Sequence, residues 1–193
     1  MLDQLAALYP ALFGAEFLPM KRGIFQDLLE AHPDTLDKDG LKAALALHTR
    51  STRYLTAVAS GHPRCDLSGQ PVEDLAPEHV HHALVEVFRR RQGRAPQDLR
   101  PKLRQRIEQA FEASGLGAEA YAALVLTRDE AVNALTQEAL DAVVARAAKD
   151  AALLRAFEAS GKTVDEFAEM YGMGGADANR TLERARARAA KPA

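Results

Sequence analysis

Apolar residues recur at three- and four-residue intervals through most of this chain, and the elements they predict are helices. Leu2, Leu5, Leu8 and Tyr9 form one face of a short helix closed by Pro10, and Ile24, Leu28 and Leu29 form another within GIFQDLLEAH. Both are too short to persist alone, so they require tertiary packing. Leu41, Ala44, Leu45 and Leu47 predict a helix over 38–47, with Asp37 as its N-cap. A break at His48 and Thr49 then leaves Ser51 to cap the next turn. In YLTAVASGHPRCDLSGQPV the pattern changes: LTAVA and RCDL read as short strands parted by residues 60–63, with a second turn at Ser68 and Gly69, which predicts a small hairpin. Pro77 suits the first turn of a helix, and Val80, Ala83, Leu84, Val87 and Phe88 follow at helical spacing.

The second half carries a duplicated phrase. AFEASG occurs at 110–115 and again at 156–161, a period of 46 residues, and each Ser-Gly reads as a helix stop. The residues that follow also align, placing Tyr121 near Phe167 and Leu135 near Leu182. Two copies of a helical hairpin or three-helix unit are therefore expected. All six histidines precede residue 83, and the Ala-rich second half has none. Between the halves, VFRRRQGRAPQDLRPKLRQR sets eight cations against one acid, Asp98, with Gly93, Pro96 and Pro101 interrupting the helical pattern. The expected organisation is mostly α: a compact helical domain with a small β-hairpin over 1–95, then a helical region with two repeat-like units over 96–193.

Composition narrows the functional classes. The chain has 193 residues, 47% hydrophobic and 27% charged, with a formal net charge of −2. That is ordinary globular composition, with no global attraction for a polyanion, so such a partner has to be held by a local cation cluster. No apolar run approaches the roughly 20 residues that span a bilayer, and the opening MLDQLAALYP lacks the basic start of a secretory leader. The single Cys65 cannot form an internal disulfide, which suits a reducing cytoplasm.

Enzyme signatures fail on inspection. SGKT at 160–163 lacks the upstream glycine and strand of a phosphate-binding loop, and GMGG at 172–175 also lacks a strand before it. Glu78, His79, His81 and His82 do not make the order a zinc protease needs, and the histidines have no third ligand in view. Cys65 has no adjacent base and reads as a small buried side chain. No catalytic residue, metal or cofactor is expected.

One window is more informative. From Gly40 to Cys65 there is no Asp or Glu, while Lys42, Arg50, Arg53 and Arg64 occur with His48, His62 and Tyr54. Lys21, Arg22 and Lys38 extend the cluster, and the break near Ser51 offers a helix N-terminus to a phosphate. Nucleic-acid binding and an ordinary protein-binding or solvated face both fit these residues alone. The strings PMKRGIFQDLLEA and LKAALALHTRSTRYLTAVASGHPRCDLSGQPVEDLAPEHVHHA decide further. They closely resemble the ProQ/FinO family of bacterial RNA-binding proteins, with its motifs P-hydrophobic-K-x-G-I, L-[RK]-x-A-L, T-x-S-x-R-Y-L, R-x-D-L-x-G and H-V-x-H-A in order between about residues 5 and 90.

The resemblance implies an RNA chaperone acting in post-transcriptional regulation by small RNAs. It implies binding to small RNAs and messenger 3′ ends through terminator hairpins, with the duplex base on cationic side chains and a single-stranded 3′ tail in a pocket at a helix N-terminus. By motif, Lys21, Lys38 and Lys42 are duplex-side cations; Thr49, Ser51, Arg53 and Tyr54 form the tail pocket; Arg64 is the hairpin arginine. Arg22 and Arg50 complete the candidate set. An A-form duplex is held by its phosphates and 2′-hydroxyls, which suits spaced cations, and guanidinium groups suit the tail as forked donors. Tyr54 fits stacking on a base or bonding a phosphate, and equally packing beneath the hairpin.

The chain departs from the family pattern at Ala46, where a cation is common, at His48 in place of Tyr, and at Thr52 in place of Trp. Fewer cations predict weaker binding and a shallower salt dependence. His48 is expected to restore part of the charge below neutral pH. Arg89 to Arg94 are expected to touch RNA, whereas Arg180, Arg184, Arg186, Arg188 and Lys191 read as a solvated helix end. The helical second half is assigned to protein contact or support of the RNA domain, and the alternative reading of the whole chain is a helical protein-interaction module.

Overall fold

The structure is a computed structural model that describes residues 1–190. Its backbone is mostly α, with eleven helices and one two-stranded hairpin among the described residues. The first half contains α1 (Leu2–Leu8), α2 (Pro10–Phe13), α3 (Ile24–Ala31), α4 (Lys38–Arg50), α5 (Thr52–Ala59), β1 (Arg64–Cys65), β2 (Pro71–Glu73) and α6 (Pro77–Gln92). There follow α7 (Arg100–Ser114), α8 (Ala118–Leu124), α9 (Glu130–Ser160), α10 (Val164–Met170) and α11 (Gly175–Ala189). Two compact units divide at 139/140, and the change of composition at 93–101 lies inside the first.

Local sequence explains most boundaries. Asp37 Oδ2 accepts from the Gly40 amide at 2.6 Å and starts α4; Ser51 Oγ accepts from the Tyr54 amide at 3.1 Å and starts α5. Helix α4 continues three residues past Leu47, until Ser51 turns extended with ψ 147. Leu41, Ala44, Leu45 and His48 bury its inner face, whereas Leu47 is exposed, as is Leu8 on α1. LTAVA, read from sequence as a strand, is the body of α5. Five residues of β-branched and small apolar type do not separate the two periods, and the decision comes from burial. Tyr54 and Val58, one helical turn apart, are both buried, and α5 packs on α6.

A hairpin does form, but across the second turn rather than between LTAVA and RCDL: β1 pairs antiparallel with β2 through Arg64↔Glu73 and Cys65↔Pro71. Asp66 builds its turn: Oδ1 accepts from the Ser68 and Gln70 amides at 2.9 and 3.0 Å, and Gly69 takes φ +77 with Ala11 packed where a Cβ would sit. The Pro19 carbonyl and Lys21 amide bond to Cys65 along the other edge, at 2.7 and 2.9 Å. Residues 19–21 are thereby locked to β1. Leu5, Leu12, Leu28 and Leu41 form the core of the first unit, which Leu103 and Ile107 of α7 and Ala139 join.

The repeat is physical as well as textual. Helix α7 ends at Ser114 and α9 at Ser160, each followed by a left-handed glycine, Gly115 and Gly161. In each copy the serine hydroxyl donates to a phenylalanine carbonyl three residues back at 2.7 Å and accepts an amide two residues on at 3.2 Å. Helices α8 and α10 have seven residues each, 46 positions apart. Phe111 meets Tyr121 and Phe157 meets Phe167 with ring centroids 5.3 Å apart in both pairs. SGKT is thus a helix stop followed by the Thr163 capping box of α10, and GMGG is the turn into α11.

In the second unit the basic end of α11 folds onto a single carboxylate. Arg184 grips Asp150 through Nε and Nη2 at 3.1 and 3.2 Å, and Arg188 adds a contact at 2.9 Å; Asp150 itself is buried. Arg180 pairs with Asp177, and the Arg186 guanidinium lies 5.6 Å from the Phe157 ring centre. These cations, expected to be solvated, instead make contacts within the unit; Lys191 lies outside the described residues. Asp150→Ala is expected to destabilise the protein by about 1–3 kcal/mol, because two arginines lose a shared acceptor. Chemical denaturation of the variant beside wild type measures it; an unchanged midpoint contradicts the assignment.

Candidate nucleic-acid interface

The sequence-predicted cations fall into three groups, and their pairing differs. On α4 the positions Lys38, Lys42, Ala46 and Arg50 follow at four-residue steps, within a sector of about 120° at the helical repeat, beside the buried face. Lys38, Lys42 and Arg50 are exposed and have no carboxylate partner among the described residues. Asp39 shares the sector in the first turn, so its acid-free part begins at Gly40. Ala46 interrupts the row at the position where the family pattern has a cation.

The second group surrounds Glu73 at the base of the hairpin. Arg22 donates to Glu73 through its amide at 3.0 Å, through Nε at 3.0 Å and through Nη2 at 2.9 Å. The Arg64 Nε stands 3.7 Å from the same carboxylate; its Nη1 donates to the Met20 carbonyl at 2.9 Å and its Nη2 lies 3.4 Å from His79 Nδ1. Lys21 Nζ is held by Asp27 at 2.6 Å. Hydrogen bonding to Asp27 raises the Lys21 pKa, and the Arg22 guanidinium keeps the Glu73 carboxyl below the ordinary carboxylate range. Lys21 and Arg22 are therefore compensated in the free protein, and Arg64 shares Glu73 with Arg22. Glu73 went unnoticed in the sequence, although its place opposite Arg64 in a hairpin is the signal that finds it.

The third group is the break between α4 and α5. Thr49 Oγ1 donates back to the Leu45 carbonyl at 2.9 Å, and the Ser51 hydroxyl is taken by the Tyr54 amide. The amides of Thr52 and Arg53, in the first turn, have no carbonyl four residues back within α5. Arg53 is exposed but anchored: its guanidinium donates to the Gly14 and Ala15 carbonyls and lies 4.2 Å from the Phe17 ring centre. The Tyr54 ring is buried and its hydroxyl accepts from the Met20 amide at 3.1 Å. The ring packs against its neighbours with no face free for a base. Met20 joins the groups, because its amide meets Tyr54 and its carbonyl meets Arg64.

The expectation for His48 is overturned. Its ring is 4% exposed, wedged between Phe13, Phe17 and Tyr54 at centroid distances of 4.7, 4.3 and 5.2 Å, and Nε2 has no hydrogen-bond partner. Burial, aided by the Arg53 charge, lowers its pKa to about 4. It contributes no charge at mildly acid pH.

Arg90 of α6, in the basic run, reaches this break: Nη1 donates to the Arg50 carbonyl at 2.7 Å and to Thr52 Oγ1 at 3.2 Å. Arg89 turns away to Glu86 and Asp129, at 2.9 and 2.8 Å. Cys65 is buried, and burial raises its thiol pKa. Among the described residues no group of three or more His, Cys, Asp or Glu is placed to hold a metal ion, and no helix is long and apolar enough to cross a membrane.

Four of the five family motifs now have a structural cause. The glycine of P-hydrophobic-K-x-G-I is Gly23, at φ +82 before α3; the serine of T-x-S-x-R-Y-L caps α5; the aspartate and glycine of R-x-D-L-x-G make the turn; and the first histidine of H-V-x-H-A neighbours Arg64. Comparison with protein-family models matches residues 1–100 to the ProQ/FINO family. With the motifs, the fold that they build and more than half of the chain in agreement, the protein belongs to the ProQ/FinO family of RNA-binding proteins and RNA chaperones.

Proposed function

We propose that the protein binds terminator hairpins followed by a single-stranded 3′ tail, on small RNAs and messenger 3′ ends, and acts in post-transcriptional regulation in the cytoplasm. The observation that carries this reading is the uncompensated row Lys38, Lys42 and Arg50, which leads along α4 to the start of α5. Spaced cations on one helix face suit the phosphates of an A-form stem, which offers its shape rather than its bases. At the end of the row, the Thr52 and Arg53 amides suit the terminal nucleotide, with Thr49 and Ser51 shaping the break and Arg53 beside it. Lys21, Arg22 and Arg64 hold the hairpin in place and reach phosphates only by exchanging acidic partners. Tyr54 supports the pocket from below. No covalent step is part of this function.

Residues 1–95 carry the RNA contacts in this reading, and within residues 96–193 each unit by itself offers apolar side chains to a protein partner. Exposed apolar side chains support the second part: Leu124 on α8 and Met170 on α10, equivalent positions of the repeat, are 44% and 54% exposed. A titration of one hairpin with a free 3′-hydroxyl tail and with the same tail ending in phosphate tests the pocket. Preference for the free end is expected, for the full chain and equally for the fragment 1–139, which contains the whole first unit. Equal binding of both ends removes the tail pocket and leaves backbone attraction alone. Absence of binding to either favours the protein-interaction reading.

A further inference from the structure

A groove of the first unit gathers five cations that no family motif includes. Beside Thr52, at the start of α5, Arg90, Arg91 and Arg94 border an open cavity of about 280 Å³. Arg91 also borders a second cavity of about 190 Å³ between α5, α6 and α7, with Phe88, Leu99 and Leu103 in its floor and Lys102 and Arg106 on its rim. No Asp or Glu lines either cavity. The nearby Asp98 is taken by Arg100 at 2.8 Å, so it does not neutralise the row.

The cations are placed but not compensated. Arg90 donates to the Arg50 carbonyl and Arg106 to the Ala59 carbonyl, both at 2.7 Å, which fixes their positions while leaving their charges unopposed. Arg91, Arg94 and Lys102 are exposed and have no side-chain partner among the described residues. Like charges along one groove repel, and a polyanion relieves that repulsion. The apolar floor narrows the class of polyanion further. A base has a flat apolar face for Phe88 and Leu99 and a phosphate on either side for the rim, whereas a duplex cannot enter a cavity this small.

We propose that this groove is a second RNA subsite, which takes an unpaired strand adjoining the hairpin, with its phosphates on Arg91, Arg94 and Lys102 and a base over Phe88, Leu99 and Leu103. One wall is α7, which begins where the family match ends, so the subsite belongs to this chain's own extension. The inference rests on the RNA-binding reading above and extends it from the start of α5 along α6.

The test uses the full chain with the double variant Arg91→Ala/Lys102→Ala, both exposed positions, against three RNAs sharing one stem: blunt, with a 3′ single-stranded extension, and with a 5′ one. Loss of two single-strand phosphate contacts is expected to weaken binding of an extended RNA about tenfold near 0.15 M salt and to lower its salt slope by roughly 1.4. Binding of the blunt stem stays within about twofold of wild type. Whichever extension loses affinity identifies the strand that enters. Equal losses on all three RNAs, or none on any, overturn the subsite while leaving the first site standing. If wild type binds none of the three, the RNA-binding reading fails and the subsite with it. As a second readout, 4-thiouridine in the extension is expected to crosslink to residues 99–106, and crosslinking confined to α4 overturns the proposal.

Discussion

Replacing Lys38, Lys42 and Arg50 together by alanine is expected to weaken binding of a tailed terminator hairpin about 100-fold near 0.15 M salt. Each contact to a duplex phosphate contributes roughly 0.9 to the logarithmic salt slope, which at that concentration amounts to about fivefold in affinity per cation. Three cations with no carboxylate partner give the product, and the slope should fall by about 2.7. The paired variant Lys21→Ala/Arg22→Ala is expected to cost less than about fivefold, because each of these side chains gives up an acidic partner, Asp27 or Glu73, before it meets a phosphate. Ala46→Lys, which fills the gap in the α4 row, is expected to strengthen binding by about fivefold. Filter-binding isotherms at four salt concentrations measure all three. Should the two alanine variants lose affinity equally per cation, ion pairing in the free protein is not what ranks these residues.

A second large effect is loss of stability in mild acid. His48 and His81 are 4% and 2% exposed and both have pKa values lowered to about 4, chiefly by burial, with Arg53 acting on the first and His82 on the second. His81 Nε2 is bonded to Thr136 Oγ1 at 3.0 Å, while His48 Nε2 has no partner. In the unfolded chain both titrate near 6.5, so between pH 6.5 and 4 the unfolded state binds more protons and stability falls as pH falls. Above 6.5 the full stability is present; by pH 5 each histidine is expected to remove about 2 kcal/mol, a large part of the roughly 5–15 kcal/mol typical of a domain. Glu73 and Asp129, with carboxyl pKa values lowered by Arg22 and Arg89, act in the same direction at lower pH. Urea denaturation at pH 7 and pH 5 should show the drop, and His48→Phe should remove about half of it, since a phenyl ring suits the cage of Phe13, Phe17 and Tyr54. A pH dependence identical in wild type and His48→Phe contradicts the account.

Together the predictions separate two demands on one surface. The α4 row carries unopposed charges, which is what the proposed binding needs, whereas the hairpin cations are opposed by Glu73 and Asp27 and hold residues 19–23 against β1 and α3. The family motifs mix both kinds. Lys42 in L-[RK]-x-A-L is free for a ligand, while Tyr54 and Ser51 in T-x-S-x-R-Y-L are occupied in holding the break.

What the sequence by itself determined lies within a few residues of its cause. Asp37 and Ser51 cap the helices that follow them, Gly115 and Gly161 stop those before them, and the AFEASG period marks two copies with the same hydrogen bonds. The motif order likewise identified the family and the mostly helical fold. Such features were legible because capping and helix termination act over at most four positions. Tertiary structure decided the rest. LTAVA is a helix because Tyr54 and Val58 are buried on one face of it, not because its own pattern excludes a strand. The pairing of Arg22 with Glu73, 51 residues away, and the approach of Arg90 to Arg50, 40 away, decide which cations are compensated and which are placed. His48 became an uncharged wedge for the same reason. Charge and burial depend on neighbours brought together across the chain, and no local pattern carries that information.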